Sequence, residues 1–116
     1  MYKQREILLI PIPYTDLSSQ KKRPVVVVSN NHYNSLMEDI VVVAITSNVE
    51  RRDYSIMISH KDMEEGTLLY ESMIRIDKIY TLKQSIIVKR FGLIKKESFA
   101  QINTLLKKLI EPMNIL

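Results

Sequence analysis

Ser18-Ser19-Gln20-Lys21-Lys22-Arg23-Pro24-Val25-Val26-Val27-Val28-Ser29 changes character within two residues, from polar and cationic to β-branched. Four consecutive valines suit a strand buried on both faces. Pro24 has a fixed φ and no N–H, so it is expected at the first residue of that strand. It also biases Arg23 toward an extended backbone. The expectation is a basic loop that delivers an arginine to a rigid strand entrance, a suitable grip for a phosphate. The plainer reading of the same residues is a solvated basic turn ahead of a core strand.

Working outward, residues 7–12 read as a strand, and Pro11 and Pro13 mark an edge strand or a bent strand end. Residues 14–19 are a loop by their hydroxyl and Asp content. After the valines, residues 30–34 close the strand. Residues 40–46 are a second β-branched run, and residues 50–53 a charged turn. Residues 54–58 favour a strand. Residues 60–65 read as a short helical turn stopped by Gly66. One or two short strands are expected over 68–76. Another is expected over 85–94, with Gly92 a bulge or a point of close approach. Phe99, Ile102, Leu105, Leu106, Leu109 and Ile110 fall at helical spacing and form one apolar stripe. Ser98 and Gln101 could form its capping box, with a helix start a residue or two earlier as the alternative, and Pro112 ends it. Short strands followed by one amphipathic helix point to a mainly β fold with α, a small antiparallel barrel capped by a helix.

The 116 residues read as a single domain, 1–116, large enough for an independent core. Apolar residues make up 46% of the chain and charged residues 26%, ordinary proportions for a globular protein. The absence of cysteine removes disulfides and thiolate chemistry and fits a reducing compartment. His32 and His60 are the only imidazoles, too few for a multi-histidine cage, so no metal or cofactor is expected. The apolar run at 7–10 is too short for a signal peptide or a membrane span, and a cytoplasmic protein is the expectation. A net charge of +4 favours a polyanionic partner.

With Gly66 and Gly92 the only glycines, there is no phosphate-cradling loop, and neither a nucleophile elbow nor a zinc-binding helix motif occurs. What remains is a set of arginines and hydroxyls at strand ends. Arg23 is one, and Thr46-Ser47 closes the 40–46 run, where hydroxyls also serve as ordinary caps. Arg75 and Asp77, spaced by two, share a strand face and can act together, although such pairs are often surface ion pairs. Taken together they fit RNA cleavage. That reaction needs an activated 2′-OH, charge stabilisation on the phosphorane and a proton for the leaving oxygen. Arginine supplies the charge, Asp77 is a candidate base, and a threonine hydroxyl can position the phosphate.

The chain resembles the MazF/PemK-type toxins of type II toxin–antitoxin systems. The likeness runs in order through the segment 10–18 (IPIPYTDLS), 22–29 (KRPVVVVS), 44–47 (AITS), 72–79 (SMIRIDKI), Thr81-Leu82 and 91–94 (FGLI), covering roughly residues 5 to 110. The resemblance implies an SH3-like antiparallel β-barrel with a C-terminal helix, working as a homodimer. It implies a metal-independent endoribonuclease that cuts single-stranded RNA at short sequences, leaving a 2′,3′-cyclic phosphate and a 5′-OH. It implies a cognate antitoxin whose tail covers the RNA groove, with operator DNA a candidate further partner of that complex. By the same likeness Arg23 and Thr46 match the family's usual catalytic pair, and Arg75 and Asp77 match an alternative pair. Ser18, Ser19, Gln20, Lys21, Lys22 and Ser47 match RNA-binding positions.

Two departures stand out. Arg5-Glu6 replaces the family's usual Gly-Asp or Gly-Glu, and Ser18-Ser19 replaces Ser-Gly. A loop without glycine is stiffer, which bears on its shape and on cut-site preference and leaves Arg23 and Thr46 untouched. The competing reading is a non-cleaving regulatory barrel that binds nucleic acid through Lys21, Lys22, Arg51, Arg52, Lys89 and Arg90. A peptide-binding barrel is disfavoured because the chain has no tryptophan and is only 7% aromatic.

Overall fold

The valine run and the run after it form adjacent central strands. In the computed structural model, which describes residues 1–11 and 22–113, β2 (Lys22–Val27) lies between β1 (Glu6–Pro11) and β3 (Asp39–Thr46). Expectations for Ser18, Ser19, Gln20 and Lys21 lie outside the described residues. Val25, Val26 and Val27 are at most 1% exposed, so β2 is buried on both faces, as its composition requires. Alternation sends Val26 to one apolar cluster and Val25 and Val27 to another.

Pro24 is the third residue of β2, not the first. It is tolerated because the ladder to β3 begins only at Val25, so at Pro24 the strand is paired with β1 alone. Pro11 ends β1, but β1 is no edge strand, since β7 pairs along its other side.

Among the described residues the remaining strands are β4 (Ser55–Ile58), β5 (Met63–Glu65), β6 (Ser72–Lys83) and β7 (Lys89–Ile94). All seven pair antiparallel in one curled sheet of order β4-β6-β3-β2-β1-β7-β5. The expected short strands over 68–76 are replaced by the twelve-residue β6, which starts at Ser72 and continues through 77–83. The polar residues of 77–83 fall on exposed positions of a strand whose apolar alternation is broken by a bulge. Similarly, 85–94 is not one strand: a 3-10 turn (Gln84–Ile86) precedes β7. Only the 3-10 turn His60–Asp62 is helical within 60–65, where β5 then follows.

A short helix, α1 (Asn31–Leu36), occupies a stretch whose sequence reads as a strand terminus. Asn30 caps it, its side-chain oxygen accepting from the Tyr33 N–H at 2.8 Å. The C-terminal helix α2 (Lys96–Ile110) packs against β6 and β4 with Ile102 fully buried. Ser98 is not its cap. It lies inside the first turn, and its hydroxyl donates to Asp62 Oδ1 at 2.8 Å, while Asp62 Oδ2 accepts from the Ser59 N–H at 2.8 Å. Asp62 thereby ties the helix start to the turn before β5.

The two glycines meet across β5 and β7. Gly66 has φ +83°, and a Cβ there would stand 2.6 Å from the Phe91 carbonyl oxygen. A Cβ on Gly92 would stand 2.5 Å from the Glu65 carbonyl oxygen. Gly92 is thus the expected point of close approach, and the β1–β7 register shifts beside it, between Ile7 and Leu8. Both obstructions are backbone, so neither can rotate away. Gly92→Ala is expected to destabilise the fold by about 1–3 kcal/mol. Thermal unfolding checks this, each kcal/mol lowering Tm by roughly 4–8 °C in a domain near this size.

Candidate functional site

Strand register determines which side chains converge. The β2–β3 ladder pairs Val25 with Ala44, Val26 with Val43 and Val27 with Val42. The ladder stops at Val25, and alternation along β2 keeps Arg23 on the face of Val25. Across the next boundary Ala44 pairs with Arg75 and Thr46 with Met73, and beyond it Ser55 pairs with Arg75 and Met57 with Met73. Two rows therefore cross the sheet: Val25, Ala44, Arg75, Ser55, and Thr46, Met73, Met57. Directly opposed residues share a face. Ile45, Ile74 and Val26 belong to the cluster under α2, so Arg23, Thr46 and Arg75 share the opposite face. The mouth they occupy is where β1 and β3 end and β2 and β6 begin.

Arg23 and Lys22 are exposed on the first two residues of β2, where alternation sends them to opposite faces. Thr46 is half-buried, and its Oγ1 accepts from the Asn48 N–H at 3.2 Å. The hydroxyl thus does cap the strand end, and its own proton remains available to donate. Ser47 is exposed, just past the strand.

Arg75 and Asp77 form a two-pronged pair: Nε to Oδ1 at 2.9 Å and Nη2 to Oδ2 at 2.9 Å. Strand alternation puts the two side chains on one face, opposite Ile74 and Ile76, and a bulge begins directly after Arg75. Val43 pairs with Ile79 while its neighbour Ala44 pairs with Arg75, leaving residues 76–78 over as extra chain. The hydrogen bonds from Arg75 hold the Asp77 carboxyl below its ordinary range, and the same bonds raise the already high pKa of Arg75. A carboxylate stabilised in this way is a weak base and a good orienter of its arginine. The arginine side chain is 16% exposed and the carboxylate 36%, so the pair lies at the surface of the site.

Other basic residues named from the sequence divide into two groups. Arg90 is a structural cation. Its guanidinium donates to the buried Glu6 carboxylate and, at 3.0 Å, to Glu65, and the bond to Glu6 is the main cause of its raised pKa. Arg51 and Arg52 instead rim an open hollow of about 590 Å³, with Asp53, Ser55, Met57 and Met73 as the other lining residues. In the sequence, 50–53 reads as a charged turn, and Arg51 and Arg52 enter only as part of the basic surface of the competing non-cleaving reading. His32 and His60 are both exposed. Among the described residues no group of three His, Asp or Glu side chains could hold a metal ion, and no helix is long and apolar enough to cross a membrane.

The same fold occurs in solved structures. An endoribonuclease in complex with its cognate antitoxin from a mycobacterial species aligns with TM-score 0.79 at 20% identity, over 98% of this chain and 100% of that one. MazE–MazF from Deinococcus radiodurans aligns with TM-score 0.77 at 14% identity, over 97% and 98% of the two chains. The Mycobacterium tuberculosis toxin MazF-mt6 aligns with TM-score 0.75 at 14% identity, over 95% and 100%. No curated protein matches the sequence. The family model for PemK-like, MazF-like toxins of type II toxin–antitoxin systems matches residues 3–110, nearly the whole chain, and the protein belongs to that family.

Proposed function

We propose that this toxin is an endoribonuclease that cuts single-stranded RNA at a short sequence. The observation that carries the reading is the register that brings Arg23, Thr46 and Arg75 to one face at the mouth of the sheet. Membership of the toxin family and the endoribonuclease name of the mycobacterial structural relative support it.

In this mechanism the 2′-OH loses its proton and its oxygen attacks the adjacent phosphorus. The bond to the 5′ oxygen breaks, and that oxygen takes up a proton. The products are a 2′,3′-cyclic phosphate and a 5′-OH. Arg23 faces the charge that develops on the phosphorane oxygens. Thr46 donates its hydroxyl proton to a non-bridging oxygen and orients the phosphate. Arg75, held by Asp77, supplies a second positive charge, and Asp77 acts as its orienter. Lys22 and Ser47, with Ser18, Ser19, Gln20 and Lys21, contact the RNA on either side of the cut. The toxin works as a homodimer, and its antitoxin inhibits it by covering this groove.

Arg23→Ala is expected to lower cleavage of a long single-stranded RNA by about 100- to 1000-fold, the cost of removing one preorganised donor. Primer extension on RNA digested in EDTA would read this, and cutting at near wild-type rate would sink the assignment. RNA bound tightly and left uncut by wild-type protein would favour the non-cleaving barrel. Light scattering at micromolar concentration should give twice the mass of one chain, and a monomer there would count against the dimer.

Asp77→Asn tests the orienter role. Because the carboxyl is held below its ordinary range, its contribution to stability is complete at neutral pH. It fades only as pH falls through that lowered value. Melts should show the variant about 0.2–1 kcal/mol less stable at pH 7, with the gap closing in acid. Its cleavage rate should fall less than that of Arg23→Ala. A larger fall would make Asp77 the general base instead.

A further inference from the structure

Beside Thr46 the sheet has an unusual floor. Met73 pairs directly with Thr46 and is only 4% exposed, whereas Met57, the next residue in the same row, is 47% exposed. Two strand spacings separate Met57 from Thr46, roughly 10 Å. These two thioethers line the hollow of about 590 Å³ rimmed by Arg51, Arg52, Asp53 and Ser55. Arg52 has an exposed partner, Glu50 at 3.3 Å, an ion pair too solvated to neutralise it.

We propose that this hollow seats a nucleotide flanking the cut, and that Asp53 selects a base bearing an amino group there. The inference rests on the ribonuclease reading and assigns that reading a specificity-determining subsite. Each part of a nucleotide meets its complement. Arg51 and Arg52 take a phosphate, which suits the planar donor fork of a guanidinium. The flat apolar face of a base lies on Met57 and Met73, whose flexible side chains adapt to it. The Asp53 carboxylate only accepts hydrogen bonds, so it matches an exocyclic amino group, as on cytosine or adenine, and repels a carbonyl in the same position. The Ser55 hydroxyl can serve either kind of base edge. Occupation of this row continues the line from Thr46, so the RNA strand would cross the strands of the sheet at the mouth.

The test compares wild type, the double variant Arg51→Ala/Arg52→Ala, and Asp53→Asn on a randomised single-stranded RNA, with the cut ends sequenced. The double variant should raise KM about tenfold or more with kcat nearly unchanged, as expected when charge-assisted hydrogen bonds remote from the reacting atoms are removed. Its RNA binding should depend less steeply on salt, by about 0.7 in the log–log slope for each phosphate no longer neutralised. Asp53→Asn should relax the preference for an amino-bearing base at one fixed position beside the cut, without moving the cut. Unchanged KM, salt slope and base preference in variants of a wild type that cuts would overturn the subsite alone. A fall in kcat with KM unchanged would overturn it too, by moving the arginines to the reacting phosphate. A wild type that makes no discrete cuts would overturn the ribonuclease reading and the subsite together.

Discussion

Strand β3 has no freedom to slide. It is paired along both sides, and Val43 and Ile45 enter one apolar cluster while Ile40 and Val42 enter the other. A shift of one residue would exchange all of these between faces, so both cores together specify the register. That register in turn pairs Thr46 with Met73 and puts it on the face that Arg23 shares by alternation from Val25. The placement of the candidate residues at the mouth thus follows from burial elsewhere along the same strand.

The bulge in β6 solves a different problem. Arg75 sits in the row where β3 and β4 both pair with β6, so its backbone position is well determined. Its long side chain is not determined by pairing alone. Asp77, two residues on and left without a β3 partner by the bulge, meets the guanidinium, and the two-pronged pairing limits the directions in which the charge can point. The contrast with Arg90 is informative. Arg90 is also held by carboxylates, but they lie on β1 and β5, so its charge serves to join strands.

The sequence was most legible where burial is two-sided and continuous. Residues 25–27 and 40–46 declared central strands by composition, and 99–110 declared an amphipathic helix by period. Legibility failed where local pattern and tertiary pairing disagree. Residues 77–83 are polar enough to look like loop, yet pairing with β3 makes them strand. Asn30 through Leu36 ends in exposed Leu36 and lacks a clear stripe, so the capped turn of α1 did not show. Ser98 satisfied a capping pattern, but its hydroxyl is claimed by Asp62, which is distant in sequence. At the site, Arg23, Thr46, Arg75 and Asp77 could be picked out as residue types at strand ends. Their convergence depends on a strand order that no local pattern encodes. For the same reason Arg51, Arg52 and Asp53 read as a solvated turn, since only the folding of β4 beside β6 turns that segment toward Met57 and Met73.

The length of β6 bears on how the protein opens. Its first half pairs with β4 and carries the site, while its second half, from Ile79 to Lys83, pairs with the start of β3 and packs Tyr80 and Leu82 against the second cluster. One uninterrupted run of backbone therefore belongs to both ends of the molecule. Opening of the distant half would slacken the segment that positions Arg75, so the site cannot form a separate cooperative unit with its own stability. Partial opening at the far end and dispersal of the cationic cluster at the mouth are then one event, and a binding partner that clamps either end restrains the other.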